Sequence, residues 1–369
     1  MSIYLDNNAT SPIRPEAKAA MIEALDAGGN ASSVHAVGRA ARVRIERARE
    51  QVAGLVNCVP GSVTFTSGGT EANALAIESA KAAGFERIII GATEHDSIRE
   101  NAKASGLTVE VWPVDGHGVA DTAWLKTAVA AGGKALVCLM LANNETGVIQ
   151  PVTEASALVC EAGGWLHVDA IQAAGKIAID FSALGADTLS LSAHKLGGPQ
   201  GVGALVAGTR ATLARRQHGG GQERGRRAGT ENGPGIAGFG AAAAQGVADD
   251  HAAWRDAFAA QAKAAGAVIL GEGADRLPQT LCLALPGYAA ELQVMGMDLA
   301  GVMISAGSAC SSGKVKASHV VEAMGRADLA PYAIRLSGGW ASSEDDWISA
   351  AKAWAALAER HQARRKAVA

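Results

Sequence analysis

Ala135-Leu-Val-Cys-Leu-Met-Leu141, Thr153-Glu-Ala-Ser-Ala-Leu-Val-Cys-Glu-Ala162 and Trp165-Leu-His-Val-Asp169 form an apolar run, a helix-length amphipathic segment and a second apolar run. Such a unit predicts two parallel strands, because a parallel pair needs a crossover long enough to carry a helix. Working outward, runs at Val63-Thr66, Arg87-Ile90, Val109-Trp112, Thr188-Ser192 and Gly203-Ala207 predict further strands. Helices are expected at Pro15-Ala27, Ala36-Val56, Glu71-Ala83, Ser97-Lys103 and Thr122-Ala131, with Pro15 and Pro151 at helix starts. Gly28, Gly84, Gly132 and Gly163 fall where helices end. The alternation predicts an α/β fold with a mainly parallel seven-stranded sheet covered by helices on both faces.

From Gly235 to Ala265 the chain turns Ala-rich, which predicts one helix of up to about 45 Å bridging two domains. Shorter strands and a final helix from about Ser343 follow. The expected division is a large domain over residues 13–247 and a smaller α+β domain built from 1–12 and 248–369.

With 369 residues, 49% hydrophobic, the chain can bury a large core. Its net charge of −3 gives no global attraction for nucleic acid or an anionic membrane. Arg224, Arg226 and Arg227 lie in the Gly219 to Gly229 loop without interleaved aromatics, which reads as a dimer-edge loop rather than an RNA site. The basic end Arg360 to Lys366 reads as a solvated helix terminus. Five cysteines show no Cys-x-x-Cys spacing and no zinc cluster, so neither a disulfide framework nor a metal is expected. Met1 leads into Ser2-Ile-Tyr-Leu-Asp6 without a signal-peptide pattern, and the apolar stretch Ala135 to Ala142 is far short of the roughly 20 residues a membrane span needs. A cytoplasmic protein is expected.

The chemistry gathers at predicted strand ends. Ser192-Ala-His-Lys195 follows a strand at its carboxyl end, where open α/β sheets bind ligands, and makes Lys195 a candidate to form an imine with an aldehyde. Asp169 ends an apolar strand, and a buried aspartate calls for a cation; the pyridinium of pyridoxal phosphate would satisfy it, with Gln172 donating to the ring oxygen. Thr66-Ser-Gly-Gly-Thr-Glu71 passes from strand to helix and offers free N–H groups to a phosphate, with Thr70, Ser192 and His194 as further donors. Two rival phosphate motifs fail: Gly307 to Lys314 has the wrong glycine spacing for a P-loop, and Gly198 to Gly203 precedes a strand rather than a helix. Ser305-Ala-Gly-Ser-Ala-Cys-Ser-Ser-Gly313 places the thiol of Cys310 among residues too small to pack it, the composition of a mobile arm.

Together with Tyr4-Leu-Asp-Asn-Asn-Ala-Thr10, Asn30 to His35, Glu94-His95, Asn143-Asn-Glu-Thr-Gly147, His167 to Gln172, Gly219 to Arg224 and Gly229-Thr-Glu-Asn232, these segments make the chain resemble, over nearly its whole length, the cysteine desulfurases of NifS/IscS type. The resemblance implies a homodimeric pyridoxal 5'-phosphate enzyme of fold type I. It implies Lys195 as the cofactor lysine, Asp169 as the ring-nitrogen partner, His95 as the stacking and proton-relaying imidazole, and Asn144 and Gln172 at the ring oxygen and substrate. Gly69, Thr70, Ser192 and His194 would hold the phosphate, Thr230 would reach the other subunit's phosphate, and Arg335 would clamp the substrate carboxylate. L-Cysteine would give alanine and a persulfide on Cys310, passed on to a sulfur-acceptor protein such as an iron–sulfur scaffold. Ala31 and Gln200 depart from the usual proline and lysine, at positions with no inferred catalytic group. The rival readings are a selenocysteine lyase or small-molecule aminotransferase of the same fold, and a catalytically silent scaffold.

Overall fold

The computed structural model describes residues 2–248, 250–307 and 317–368; the expected sulfur carrier, Cys310, lies outside the described residues. The strands are β1 (Ile3–Tyr4), β2 (Val63–Thr66), β3 (Arg87–Gly91), β4 (Thr108–Trp112), β5 (Ala135–Met140), β6 (Trp165–Asp169), β7 (Thr188–Ser192) and β8 (Gly203–Ala207). After them come β9 (Val268–Leu270), β10 (Thr280–Ala284), β11 (Val302–Met303), β12 (Ser305–Ala306) and β13 (Ala333–Ser337). The helices are α1 (Pro15–Ala27), α2 (Ala36–Leu55), α3 (Gly69–Ala82), α4 (Asp96–Ala104), α5 (Thr122–Ala131) and α6 (Val152–Glu161). They continue with α7 (Phe181–Leu184), α8 (Gly233–Ala243), α9 (Ala252–Ala264), α10 (Ala290–Leu299), α11 (His319–Ala323) and α12 (Glu344–Val368).

The predicted strands β2 to β8 form one seven-stranded sheet in the order β2-β8-β7-β6-β5-β3-β4. The β4-β3-β5-β6-β7 pairings are parallel, while β8 runs antiparallel to both β7 and β2. The link from β7 to β8 is too short for a helical crossover, so β8 returns beside β7 in the opposite direction. Strand β5 is buried along its whole length because both faces are covered. Val137 and Leu139 pack into the core that holds Ile45, Val52 and Phe239, while Leu136 and Cys138 pack with Ile77, Ile88 and Ile98.

A four-stranded antiparallel sheet, β12-β13-β10-β9, packs Leu281, Leu283, Ile334 and Leu336 against Phe258, Trp347 and Trp354. The N-terminal segment links the two sheets: Ser337 N donates to Leu5 O, and Ser11 N to His194 O. Helix α12 starts where expected, with Ser343 and Asp346 capping one another's backbone N–H groups.

The long helix expected from Gly235 to Ala265 is instead two helices, α8 and α9, separated by a break. Gly246 is the reason. It lies at φ +69, a left-handed conformation that ends a helix and that alanine-rich composition does not reveal. Among the described residues no helix is long and apolar enough to cross a membrane, and no group of three or more His, Cys, Asp or Glu could hold a metal ion.

Candidate active site

The parallel strands end at one edge, and their ends carry the polar residues. Beyond β2 the chain turns into α3, whose first turn holds Gly69 and Thr70 with backbone N–H groups that have no partner within the helix. Ser67 N donates to Glu71 Oε2 at 2.8 Å and Arg227 Nε to Glu71 Oε1 at 3.0 Å, which fixes this turn. Burial opposes ionisation of Glu71, but Arg227 and Ser67 outweigh it and hold the carboxyl below its usual range. A Cβ on Gly69 would collide with Ile171 Cδ1, and one on Gly203 would come within 2.7 Å of Gly68 Cα, so glycine lets the turn sit tight on its neighbours.

Beyond β3, His95 caps α4. Its Nδ1 accepts from Ser97 N at 3.0 Å and lies 2.9 Å from Ser97 Oγ. At the end of β6, Asp169 is buried, accepting from Asn73 Nδ2 at 2.8 Å and Ile171 N at 3.0 Å. Burial pushes its carboxyl up, against the pull of Asn73, Ile171, His95 and Lys195. Beyond β7, a single 3-10 turn over Ala193–Lys195 presents His194 and Lys195. Burial, followed by the positive charges of Lys195 and Lys176, pushes the His194 imidazole down to about 4.

Lys195 Nζ donates to Asn8 O at 2.6 Å and Ala9 O at 2.8 Å. Burial, with Arg335 nearby, pulls its amine down to about 8 despite Asp6 and Asp169. An amine so depressed supplies far more neutral nucleophile near neutral pH than an ordinary lysine.

Every cofactor residue expected from the sequence except Thr230 lines one cavity of about 240 Å³, together with Ser97, Met140, Ala142 and Ile171. Gln172 Nε2 donates to Asn8 O at 3.0 Å, and its Oε1 accepts from Lys176 Nζ at 2.7 Å. Asn144 uses its backbone oxygen to accept from Asn8 Nδ2 and Arg335 Nη1. Thr230 lies apart and exposed, beside Glu231 and the end of α1. Arg335, buried on β13, donates from Nη2 to Asp6 Oδ1 at 2.7 Å, and its Nε has no hydrogen-bond partner among the described residues.

The sequence reading missed several residues around this cavity. Asn8 lies in the Tyr4 to Thr10 segment, where the sequence assigns it no role, yet it ties Lys195, Gln172 and Lys176 together. Lys176 is buried and held well below the usual lysine range by burial, with Lys195 and Arg335 nearby. Asn73 and His167 are fully buried behind Asp169. The available signals were an asparagine inside the apolar run Ala72 to Ile77 and a histidine two residues before Asp169, hence on its face of the strand.

Residues 3–346 match the aminotransferase class-V family. A cysteine desulfurase of Cereibacter sphaeroides is 43% identical over 335 residues, covering 87% of this chain and 86% of that protein. The solved structure of a NifS-like protein superposes with a TM-score of 0.89 at 31% identity, over 97% of this chain and 99% of that one. The structure of SspA in complex with cysteine gives a TM-score of 0.82 at 26% identity, over 93% and 100%. The chain therefore belongs to the aminotransferase class-V family, whose enzymes depend on pyridoxal phosphate, and within it to the cysteine desulfurases of NifS/IscS type.

Proposed function

We propose that this chain takes sulfur from L-cysteine with pyridoxal phosphate held in the cavity, releasing L-alanine and leaving a persulfide on Cys310 for an acceptor protein. The observation that carries this reading is the convergence of Lys195, Asp169, His95 and the α3 first turn on one cavity from separate strand ends. The donor set fits the cofactor. Asp169, whose ionisation burial opposes, suits a cationic ring nitrogen, while the α3 first turn, Ser192 and His194 suit a phosphate.

Bound there, pyridoxal phosphate supplies a protonated ring that takes up the negative charge developing at the substrate Cα. Lys195, whose lowered pKa leaves its amine more readily neutral, would hold the cofactor through its aldehyde carbon, and its Nζ would serve as the base for the substrate Cα proton. The backbone oxygens of Asn8 and Ala9 set where that nitrogen rests. Arg335 receives the substrate carboxylate, with Asp6 and Asn144 holding its guanidinium. The Cys310 thiolate attacks the substrate sulfur: an S–S bond forms, the Cβ–S bond breaks, and Cβ gains the proton that completes alanine. Thr230, exposed and away from its own cavity, is assigned to the phosphate of a second subunit in a homodimer. The same reading assigns residues 13–247 to a cofactor-binding domain and 1–12 with 248–369 to a smaller one.

Cys310→Ala is expected to retain the visible absorbance of the bound cofactor while alanine and sulfide formation from L-cysteine fall by about 10³-fold or more. Lys195→Ala should lose both the lysine-linked absorbance and turnover. Undiminished alanine production by Cys310→Ala would sink the role of that thiol, and amino transfer to a keto acid would point to an aminotransferase instead.

A further inference from the structure

Behind Asp169 the wall between β6 and α3 is polar. Asn73 and His167 are 0% exposed and Thr188 2%, in a layer otherwise made of Ile77, Ile88 and Cys138. Asn73 Nδ2 donates to Asp169 Oδ2 and to Ser97 Oγ, both at 2.8 Å. Asn73 Oδ1 lies 2.9 Å from His167 Nε2, and His167 Nδ1 lies 2.8 Å from Thr188 Oγ1. Strand register explains the meeting: His167 is two residues from Asp169 on one face of β6, and Thr188 is its direct neighbour on β7.

The protons on this chain of contacts have one consistent arrangement. The Asn73 amide must turn its nitrogen to Asp169, since its oxygen there would set acceptor against acceptor. Its oxygen then faces His167, whose proton must sit on Nε2, leaving Nδ1 to accept from the Thr188 hydroxyl. The second Asn73 N–H goes to Ser97 Oγ, which frees the Ser97 hydroxyl proton for His95 Nδ1. That nitrogen also accepts from Ser97 N, so the His95 proton belongs on Nε2.

We infer that Asn73 is a positioning residue that sets two cofactor-facing groups at once, holding Asp169 as a hydrogen-bond acceptor and, by turning the Ser97 hydroxyl proton onto His95 Nδ1, reinforcing the Nε2–H tautomer that the Ser97 backbone N–H imposes. The inference rests on the roles given above to Asp169 and His95. Asn73 touches neither substrate nor cofactor. It acts by orienting the groups that do, in a fully buried layer where an unpaired donor is costly.

The first test uses wild-type protein labelled with ¹⁵N-histidine. NMR should show His167 and His95 both protonated on Nε2 and bare on Nδ1; a proton on Nδ1 of either would overturn the inference whatever the variants do. The second uses Asn73→Ala, Asn73→Asp and Ser97→Ala. Asn73→Ala should weaken binding of pyridoxal phosphate by the cofactor-free protein about tenfold and shift the His95 nitrogen resonances. Asn73→Asp, which sets a second acceptor against Asp169, should weaken binding further. Ser97→Ala should move the His95 resonances while leaving cofactor affinity within about twofold, because Asp169 keeps Asn73. Unchanged affinity and unchanged His95 resonances in folded Asn73→Ala would refute the positioning role. Failure of wild-type protein to bind pyridoxal phosphate would instead refute the proposed function.

Discussion

At the carboxyl edge of the seven-stranded sheet, Asp169, Ser192 and Lys195 line the cavity within a few residues of their own strand ends, whereas Arg335, from within β13 of the four-stranded sheet, lies behind that lining and meets it through the Asn144 backbone oxygen. Between them runs the segment from Asp6 to Thr10. Asp6 takes Arg335, the Asn8 backbone takes Lys195, and Asn8 Nδ2 bonds Thr280 Oγ1 on β10. The parallel sheet thus presents reactive groups as a consequence of topology. The antiparallel sheet is coupled to them by charge, since Arg335 depresses the Lys195 amine and Asp6 raises it.

Arg335→Leu breaks that coupling with the largest expected effect. Losing a buried, hydrogen-bonded charge that receives a carboxylate should raise KM for L-cysteine by about 10²-fold. Burial, the main cause of the low Lys195 pKa, remains, but the repulsion from Arg335 goes, so the amine should titrate above its present value of about 8. The measurement is the pH dependence of pyridoxal phosphate capture by cofactor-free protein, which rises as the Lys195 amine loses its proton. Asp6→Asn removes a carboxylate that raises the Lys195 pKa and should move the midpoint the opposite way. Midpoints that move together, or not at all, would break the proposed link between the sheets.

The same contrast governs what the sequence shows. The strands of the large sheet were legible in two ways: β3, β5 and β8 as the apolar runs that burial on both faces leaves, and β2, β4 and β7 as alternating segments rich in β-branched or apolar residues, with Lys195 and Asp169 legible as polar residues at or just beyond strand ends. The strand order, and β8 as the one reversed strand, follow from pairing that apolar runs do not encode, although the short link after β7 favours a reversal. In the smaller sheets β9 spans three residues and β11 and β12 two each, too few for a period to emerge, while β10 and β13, five residues each, match the strands of the large sheet in length. The α8 to α9 break was misread because alanine favours helix at every position while one glycine decides the turn. Lys176 reads as a solvent lysine after a glycine; only the fold encloses it between Asn8 and Gln172. Asn73 and Ser97 belong to different helices, so their shared contact with the Asp169 region exists only once α3 and α4 pack.

The large sheet should also carry an acid sensitivity that has no counterpart in the other one. His167 is enclosed as a neutral imidazole, and burial alone pushes it down from the ordinary 6.5 to about 3. The unfolded chain therefore binds a proton that the folded chain refuses. His167 costs no stability above the unfolded value, but the folded state loses ground steadily as pH falls from 6.5 towards 3, by about 1.4 kcal/mol per unit. His167→Gln retains an N–H for Asn73 and an oxygen for Thr188 but takes up no proton. Urea unfolding at pH 7, 6, 5 and 4.5 should show the wild-type protein losing stability faster than His167→Gln, with the gap opening only below about pH 6.5. A constant gap across that range would mean that the folded protein accommodates a charged His167, and the buried hydrogen-bonded layer behind Asp169 would then have to take in a counter-charge in acid.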